Sequence, residues 1–247
     1  GFDVTPFLFA HPRARLAELA GRRYGDISST RRQARMLLEH LGEPDDWLQE
    51  ALGIPPVMVF TGHMVDRPER ASPRFPAARI EEVGARIRRE VERMQPVAAY
   101  GSAACGADIL CLEAVHDVGG EIHIVLPFPV EQFRATSVDI RDDYRWSDRF
   151  DRLLDAASEV LVISEQPPPG CNATYEYTNQ IITGLARLRA QMLDTSLRGI
   201  AIWDGHDSGE PGGTSSAVAA WNRTGLDIDV VSIGDDTTPA MQPAATA

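Results

Sequence analysis

Six short apolar runs, separated by amphipathic stretches, constrain this chain more than any other feature. They cover residues 57–60, 97–100, 121–126, 160–163, 199–203 and 228–233. Between them lie segments with apolar residues at helical spacing, at 75–94, 107–118, 130–138, 144–157, 172–193 and 213–223. Short apolar strands alternating with helices pair in parallel and need cover on both faces. The expected fold class is therefore α/β: a doubly wound, mainly parallel sheet with helices on both faces. Ligands of such sheets bind beyond the carboxyl ends of the strands, near the switch in strand order.

The spacing places this domain over residues 54–235. Residues 1–53 read as a short N-terminal helical appendage. Within it, 13–23 carries Leu16, Leu19 and Ala20 on one face, and 29–41 carries Ala34, Leu37, Leu38 and Leu41. Ser28, Ser29 or Thr30 can cap the second helix, and Gly42 stands where it should stop. A third short helix starts at Asp45-Asp46-Trp47. Residues 236–247 are small, polar and Pro-containing, the composition of a disordered tail. Gly1-Phe2-Asp3 is an unusual beginning and suggests an excised or processed start.

Composition removes several classes. A net charge of −12 and a pI near 4.9 argue against general nucleic-acid binding or an anionic membrane surface. No apolar run approaches the roughly 20 residues of a membrane-crossing helix, and no signal-peptide pattern opens the chain. Cys105, Cys111 and Cys171 lack metal-type spacing and fit a reducing, cytoplasmic setting, so no metal site is expected. There is no lysine at all. A phosphate-binding lysine of the Walker type and a Schiff-base lysine are excluded, and charged phosphate contacts fall to arginine.

The chemistry-bearing residues cluster at the ends of the expected strands. Thr61-Gly62-His63 follows the first strand. Gly101-Ser102-Ala103-Ala104-Cys105-Gly106-Ala107-Asp108 follows the second and opens a helix. Gln132-Phe133-Arg134 comes after the third, and Glu176 and Asn179 lie after the fourth. Asp204 follows the fifth, with Gly212-Gly213-Thr214 beyond it at another helix start. Glycine-rich turns let backbone N–H groups approach a ligand, with the positive end of a helix dipole behind them, so a phosphate or carboxylate is the natural guest. The candidate ligand-binding set is Gly62, His63, Gly101, Ser102, Gly106, Asp108, Arg134, Glu176, Asn179, Asp204, Gly212, Gly213 and Thr214. Each of the polar members also has an ordinary structural role open to it, as a cap, a turn former or a surface ion pair.

In order and spacing these motifs resemble the SLOG Rossmann-like superfamily, which includes the LOG-type phosphoribohydrolases, the Smf/DprA proteins and the YpsA-like proteins. The resemblance covers roughly residues 55–235. It implies a nucleotide-like ligand whose phosphate or ribose is held by Gly101, Ser102, Gly106, Gly212, Gly213 and Thr214. The N-terminal helices are also similar to the end of a tetratricopeptide-type region, which some bacterial signalling proteins place before such a domain. Enzymatic members carry a Pro-Gly-Gly-x-Gly-Thr-x-x-Glu stretch, whose glutamate works with an arginine at the ribose. Here the stretch is Pro211-Gly212-Gly213-Thr214-Ser215-Ser216-Ala217-Val218, without that glutamate.

Three functions follow. The first is a sensor domain that binds a nucleotide or nucleotide-derived small molecule and acts through attached or partner signalling modules. The second is a nucleotide N-glycosidase of the phosphoribohydrolase type, with Glu176 or Asp108 as acid or base. The third is a scaffold with no ligand. The resemblance also makes homo-oligomers an expectation.

Overall fold

The structure is a computed structural model describing residues 23–141, 143–165, 172–206 and 212–234. The expected helix at 13–23, the 236–247 tail and Pro211 lie outside the described residues, as does Cys171. The chain divides into two compact units.

The smaller unit contains residues 23–55 and Leu188–Ser196. Helix α1 (Tyr24–Leu41) is closed by Gly42 in the left-handed conformation, φ 71°, where a side chain would be strained. No serine or threonine caps it. It begins ahead of Ser28, whose Oγ donates instead to the Met192 carbonyl at 3.1 Å. Helix α2 (Trp47–Ala51) has only five residues, and the described residues give the tetratricopeptide resemblance no support. Fully buried Arg31 ties the unit together. Its guanidinium donates to Asp194 Oδ2 at 3.0 Å, the Leu52 carbonyl at 3.2 Å and the Leu193 carbonyl at 3.4 Å. A buried guanidinium is tolerable only with this degree of satisfaction.

The larger unit, within 56–187 and 197–234 among the described residues, has the expected α/β fold. Its strands are β1 (Val57–Gly62), β2 (Ala98–Gly101), β3 (Glu121–Leu126), β4 (Glu159–Val162), β5 (Leu197–Trp203) and β6 (Asp227–Ser232). All pairings are parallel, in the order β4-β3-β2-β1-β5-β6. Strand order reverses between β1 and β5, the switch point of this doubly wound sheet. The helices are α3 (Ile80–Met94), α4 (Ala107–Asp117), α5 (Val130–Phe133), α6 (Trp146–Ala156), α7 (Asn172–Leu193), whose residues from Leu188 on belong to the smaller unit, and α8 (Thr214–Arg223). A 3-10 turn, Ala77–Arg79, leads into α3. The segment expected as one helix at 130–138 changes pitch, continuing from α5 as a π-helical turn, Arg134–Val138.

Alternation along β5 sorts the core into two layers. Ile200 and Ile202 join the main cluster with Ile87, Val91, Ile109 and Leu112 of α3 and α4. Ala201 and Trp203 pack on the other face with Val218 of α8. Successive strand side chains point to opposite faces, so a run apolar at every position requires helices on both. Among the described residues no helix is long and apolar enough to cross a membrane, and no group of three His, Cys, Asp or Glu side chains could hold a metal ion.

Candidate functional site

A cavity of about 650 Å³ opens at the carboxyl ends of the strands, at the switch point. Its walls come from the end of β1 and the loop after it, the turn after β2, the α5 and π-helical segment, one face of α7 and the start of α8. The volume falls within the range of small-molecule sites.

The turn after β2 is more occupied by the protein itself than its sequence suggests. The amide of Cys105 donates to the Ser137 carbonyl at 2.8 Å and that of Ala107 to the His63 carbonyl at 3.1 Å. The Ala104 amide donates to Asp108 Oδ2 at 3.2 Å. Ser102 Oγ, on the cavity wall, donates to the Val125 carbonyl at 2.8 Å. The glycines also have packing reasons. A Cβ on Gly101 would stand 2.1 Å from the Phe60 ring, and one on Gly62 would stand 2.3 Å from Ala107 Cβ. Gly106 has φ +112°, and its Cβ would meet the Val65 amide nitrogen at 2.6 Å. The first turn of α4 is thereby stitched onto the chain leaving β1.

At the start of α8, Gly212 takes φ +80°. Two side chains of α7 hold it from both sides of its peptide unit: Glu176 Oε2 accepts from the Gly212 amide at 2.9 Å, and Asn179 Nδ2 donates to its carbonyl at 3.1 Å. Glu176 Oε2 also accepts from Ser216 Oγ at 2.7 Å. That hydroxyl, with the Gly212 amide, outweighs burial and holds the Glu176 carboxyl below its ordinary value. Glu176 is therefore an ionised group seated at the positive end of α8, and it is not among the cavity-lining residues. Gly212, Gly213, Thr214 and Asn179 do line the cavity.

His63 connects the ends of β1, β5 and α8. Its Nε2 lies 3.1 Å from Asp204 Oδ1, too far off line for a good hydrogen bond, and its Nδ1 lies 3.5 Å from Thr214 Oγ1. Burial lowers the His63 pKa against the pull of Asp204, helped by the charges of Arg74 and Arg70. The ring is thus neutral near pH 7. Burial pushes the Asp204 carboxyl up, but the His206 amide and the His63 ring leave it below the ordinary value. Asp108 differs. Burial raises its pKa to about 7, only partly opposed by the Ala104 amide. Asp108 lines the cavity and remains partly accessible.

Arg134 lies elsewhere. It forms an ion pair with Asp151 on α6, stacks 5.1 Å above the Phe150 ring, and is not a cavity-lining residue. The arginines that do line the cavity are Arg67, Arg70 and Arg74, on the loop after β1. Buried Asp66 closes this loop: its Oδ2 accepts from the amides of Arg74 at 2.9 Å and Phe75 at 2.8 Å. Its own amide donates to the Phe75 carbonyl at 2.9 Å, and Arg141 Nη1 donates to its carbonyl at 2.7 Å. The arginine expected from the sequence, Arg134, is not the one that the cavity brings in. The available signal was three arginines within eight residues after a strand end, with an aspartate at the neck. Polar side chains such as Thr61, Ser102, Thr136 and Asn179 share the lining with an apolar and aromatic group that includes Phe60, Phe133, Tyr175 and Ile182.

No family model matches the sequence, and no curated protein matches it. Among solved structures the chain is similar to DNA processing protein A (DprA) from Streptococcus pneumoniae, at 17% identity and a TM-score of 0.34, over 75% of this chain and 61% of that one. It is also similar to Streptococcus suis SuiB bound to S-adenosylmethionine, at 11% identity and a TM-score of 0.25, over 75% of this chain and 40% of that one. The chain thus spans less than two thirds of either protein. The Rossmann-like assignment stands on the strand order and the all-parallel pairing.

Proposed function

We propose that this chain is a cytoplasmic ligand-sensing domain of bacterial signalling, which binds a nucleotide or nucleotide-derived small molecule in the switch-point cavity. One observation carries the proposal. In a chain of net charge −12, three arginines on a braced loop share a cavity with a cluster of aromatic and aliphatic side chains. Guanidinium groups recognise phosphate oxygens in pairs, and the apolar half offers a planar base its faces. Thr214 and Asn179 stand between these in chemistry, supplying a hydroxyl and an amide for ribose hydroxyls.

Binding without turnover is favoured because Glu176, the carboxylate nearest the α8 start, is held by Gly212 and Ser216 and does not line the cavity. The hydrolase reading has one observation behind it: Asp108, with a pKa of about 7, has the protonation behaviour of a general acid. A thermal-shift screen of the purified chain against nucleoside mono-, di- and triphosphates, cyclic and oligo-nucleotides, NAD and ADP-ribose tests both. Chromatography of each mixture completes the test. A stabilising ligand recovered intact supports the sensor. Release of free base makes the protein a hydrolase, and no stabilisation by any of them counts against a nucleotide ligand.

A further inference from the structure

We propose that the ligand presents a diphosphate, not a single phosphate, to Arg67, Arg70 and Arg74. The inference rests on the ligand-binding reading above and narrows its chemical class.

The arginine loop is built before any ligand arrives. The Arg70 amide donates to the Arg67 carbonyl at 3.0 Å, forming a turn. The loop's two ends meet at Asp66, whose carboxylate and amide together take three hydrogen bonds to Arg74 and Phe75. Phe75 is fully buried and anchors the neck. Arg70 Nε donates to the Ser72 carbonyl at 2.9 Å and lies 3.3 Å from Asp66 Oδ1. A loop fixed in this way gives up little entropy on binding.

The charges of Arg67 and Arg74 are unspent. Among the described residues no carboxylate lies within ion-pairing distance of Arg67 or Arg74, and Arg74 is half-buried. A partly desolvated guanidinium without a counter-ion is unfavourable until an anion arrives. The cavity lining holds two carboxyl groups beside the three guanidiniums, those of Glu69 and Asp108, and burial pushes the Asp108 carboxyl up, which favours its neutral form. With Asp66 paired to Arg70, three arginines less the two carboxylates of Asp66 and Glu69 leave a local excess of about one positive charge, before any ionisation of Asp108.

Stoichiometry of donors then sets the class. One guanidinium fork engages two phosphate oxygens, so one or two arginines saturate the terminal oxygens of a single phosphate. Arg67 and Arg74 with whole forks, and Arg70 with the terminal nitrogens that Ser72 and Asp66 leave over, match two linked phosphoryl groups. The other natural anion seat, the start of α8, already holds the Glu176 carboxylate. Both phosphoryl groups are thereby directed to the loop.

The test is calorimetric titration of the full chain with AMP, ADP, GMP, GDP and ADP-ribose, for the protein as it is and for Arg67→Gln and Arg74→Gln. At least one diphosphate should bind about tenfold or more tightly than the matching monophosphate. Either variant should bring that ratio close to one, with melting temperature confirming the fold. ADP against ADP-ribose separates a terminal diphosphate from one bridging two ribosides. Equal affinity for mono- and diphosphates, or variants that weaken both alike, overturns the diphosphate and leaves the nucleotide site standing. Absence of binding by all five overturns both.

Discussion

Alanine in place of Gly101 or Gly62 separates two roles that their sequence context confounds. If these glycines exist to admit a ligand, alanine should abolish binding and leave stability alone. The packing says the opposite. A Cβ at position 101 would lie 2.1 Å from Phe60 Cζ and 2.3 Å from Cε2. Carbon atoms rest at about 3.5 Å or more, so this buried ring would have to retreat by more than about 1 Å. Overpacking of that kind costs about 1–3 kcal/mol. At position 62 the Cβ would meet Ala107 Cβ at 2.3 Å, Ile202 Cβ at 2.9 Å and the Ile202 carbonyl oxygen at 3.1 Å. None of these is the end of a flexible side chain, so Gly62→Ala belongs at or above the top of that range. For a unit of this size each kcal/mol moves the melting temperature by about 2–4 °C. Gly101→Ala should therefore melt about 2–12 °C lower, and Gly62→Ala lower still, by scanning calorimetry. Adding Phe60→Leu to Gly101→Ala should recover part of the loss non-additively, because the two sites touch. Unchanged melting temperatures with loss of ligand binding would refute the packing argument.

Three further outcomes follow from the site. Asp66→Ala leaves the amides of Arg74 and Phe75 without their buried acceptor; it should cost about 2–4 kcal/mol in denaturant unfolding and weaken phosphate ligands by releasing the arginine loop. Asp108, with its folded pKa raised to about 7, binds its proton more tightly folded than unfolded, so its contribution to stability is lost as pH rises from about 4 through 7; Asp108→Asn should flatten that part of the stability–pH profile, and an unchanged profile would contradict the shift. Glu176→Gln removes the negative charge at the α8 start while retaining an acceptor for Gly212; the sensor account expects ligand affinity to be kept or raised, whereas a hydrolase relying on Glu176 would lose turnover.

The sheet was legible because its signal is local and repeated. Residues 121–126 and 172–193 form a strand and a helix with those bounds, since uninterrupted apolar or helical periodicity leaves little choice. The change of pitch at Arg134–Val138 was not legible, because helical spacing over nine residues does not distinguish α from π. Gly42 announced a helix end through its backbone freedom alone. The role of Gly101 depends instead on which side chain crosses it from β1, and no local pattern names Phe60. The arginine site was hidden for the same reason. Residues 64–75 have no periodicity, and their shape comes from Asp66 bonding eight and nine residues ahead. Arg134 looked equally available until Asp151, seventeen residues on, came to face it.

The most direct test is a crystal structure of the chain with a bound nucleotide diphosphate, refined far enough to place the phosphorus atoms. The account predicts phosphate oxygens within hydrogen-bonding distance of Arg67 and Arg74, the base against Phe60, Phe133 or Tyr175, and Glu176 still bonded to Gly212. Phosphates seated on the amides of the turn from Gly101 to Ala107, with the three arginines untouched, would contradict it.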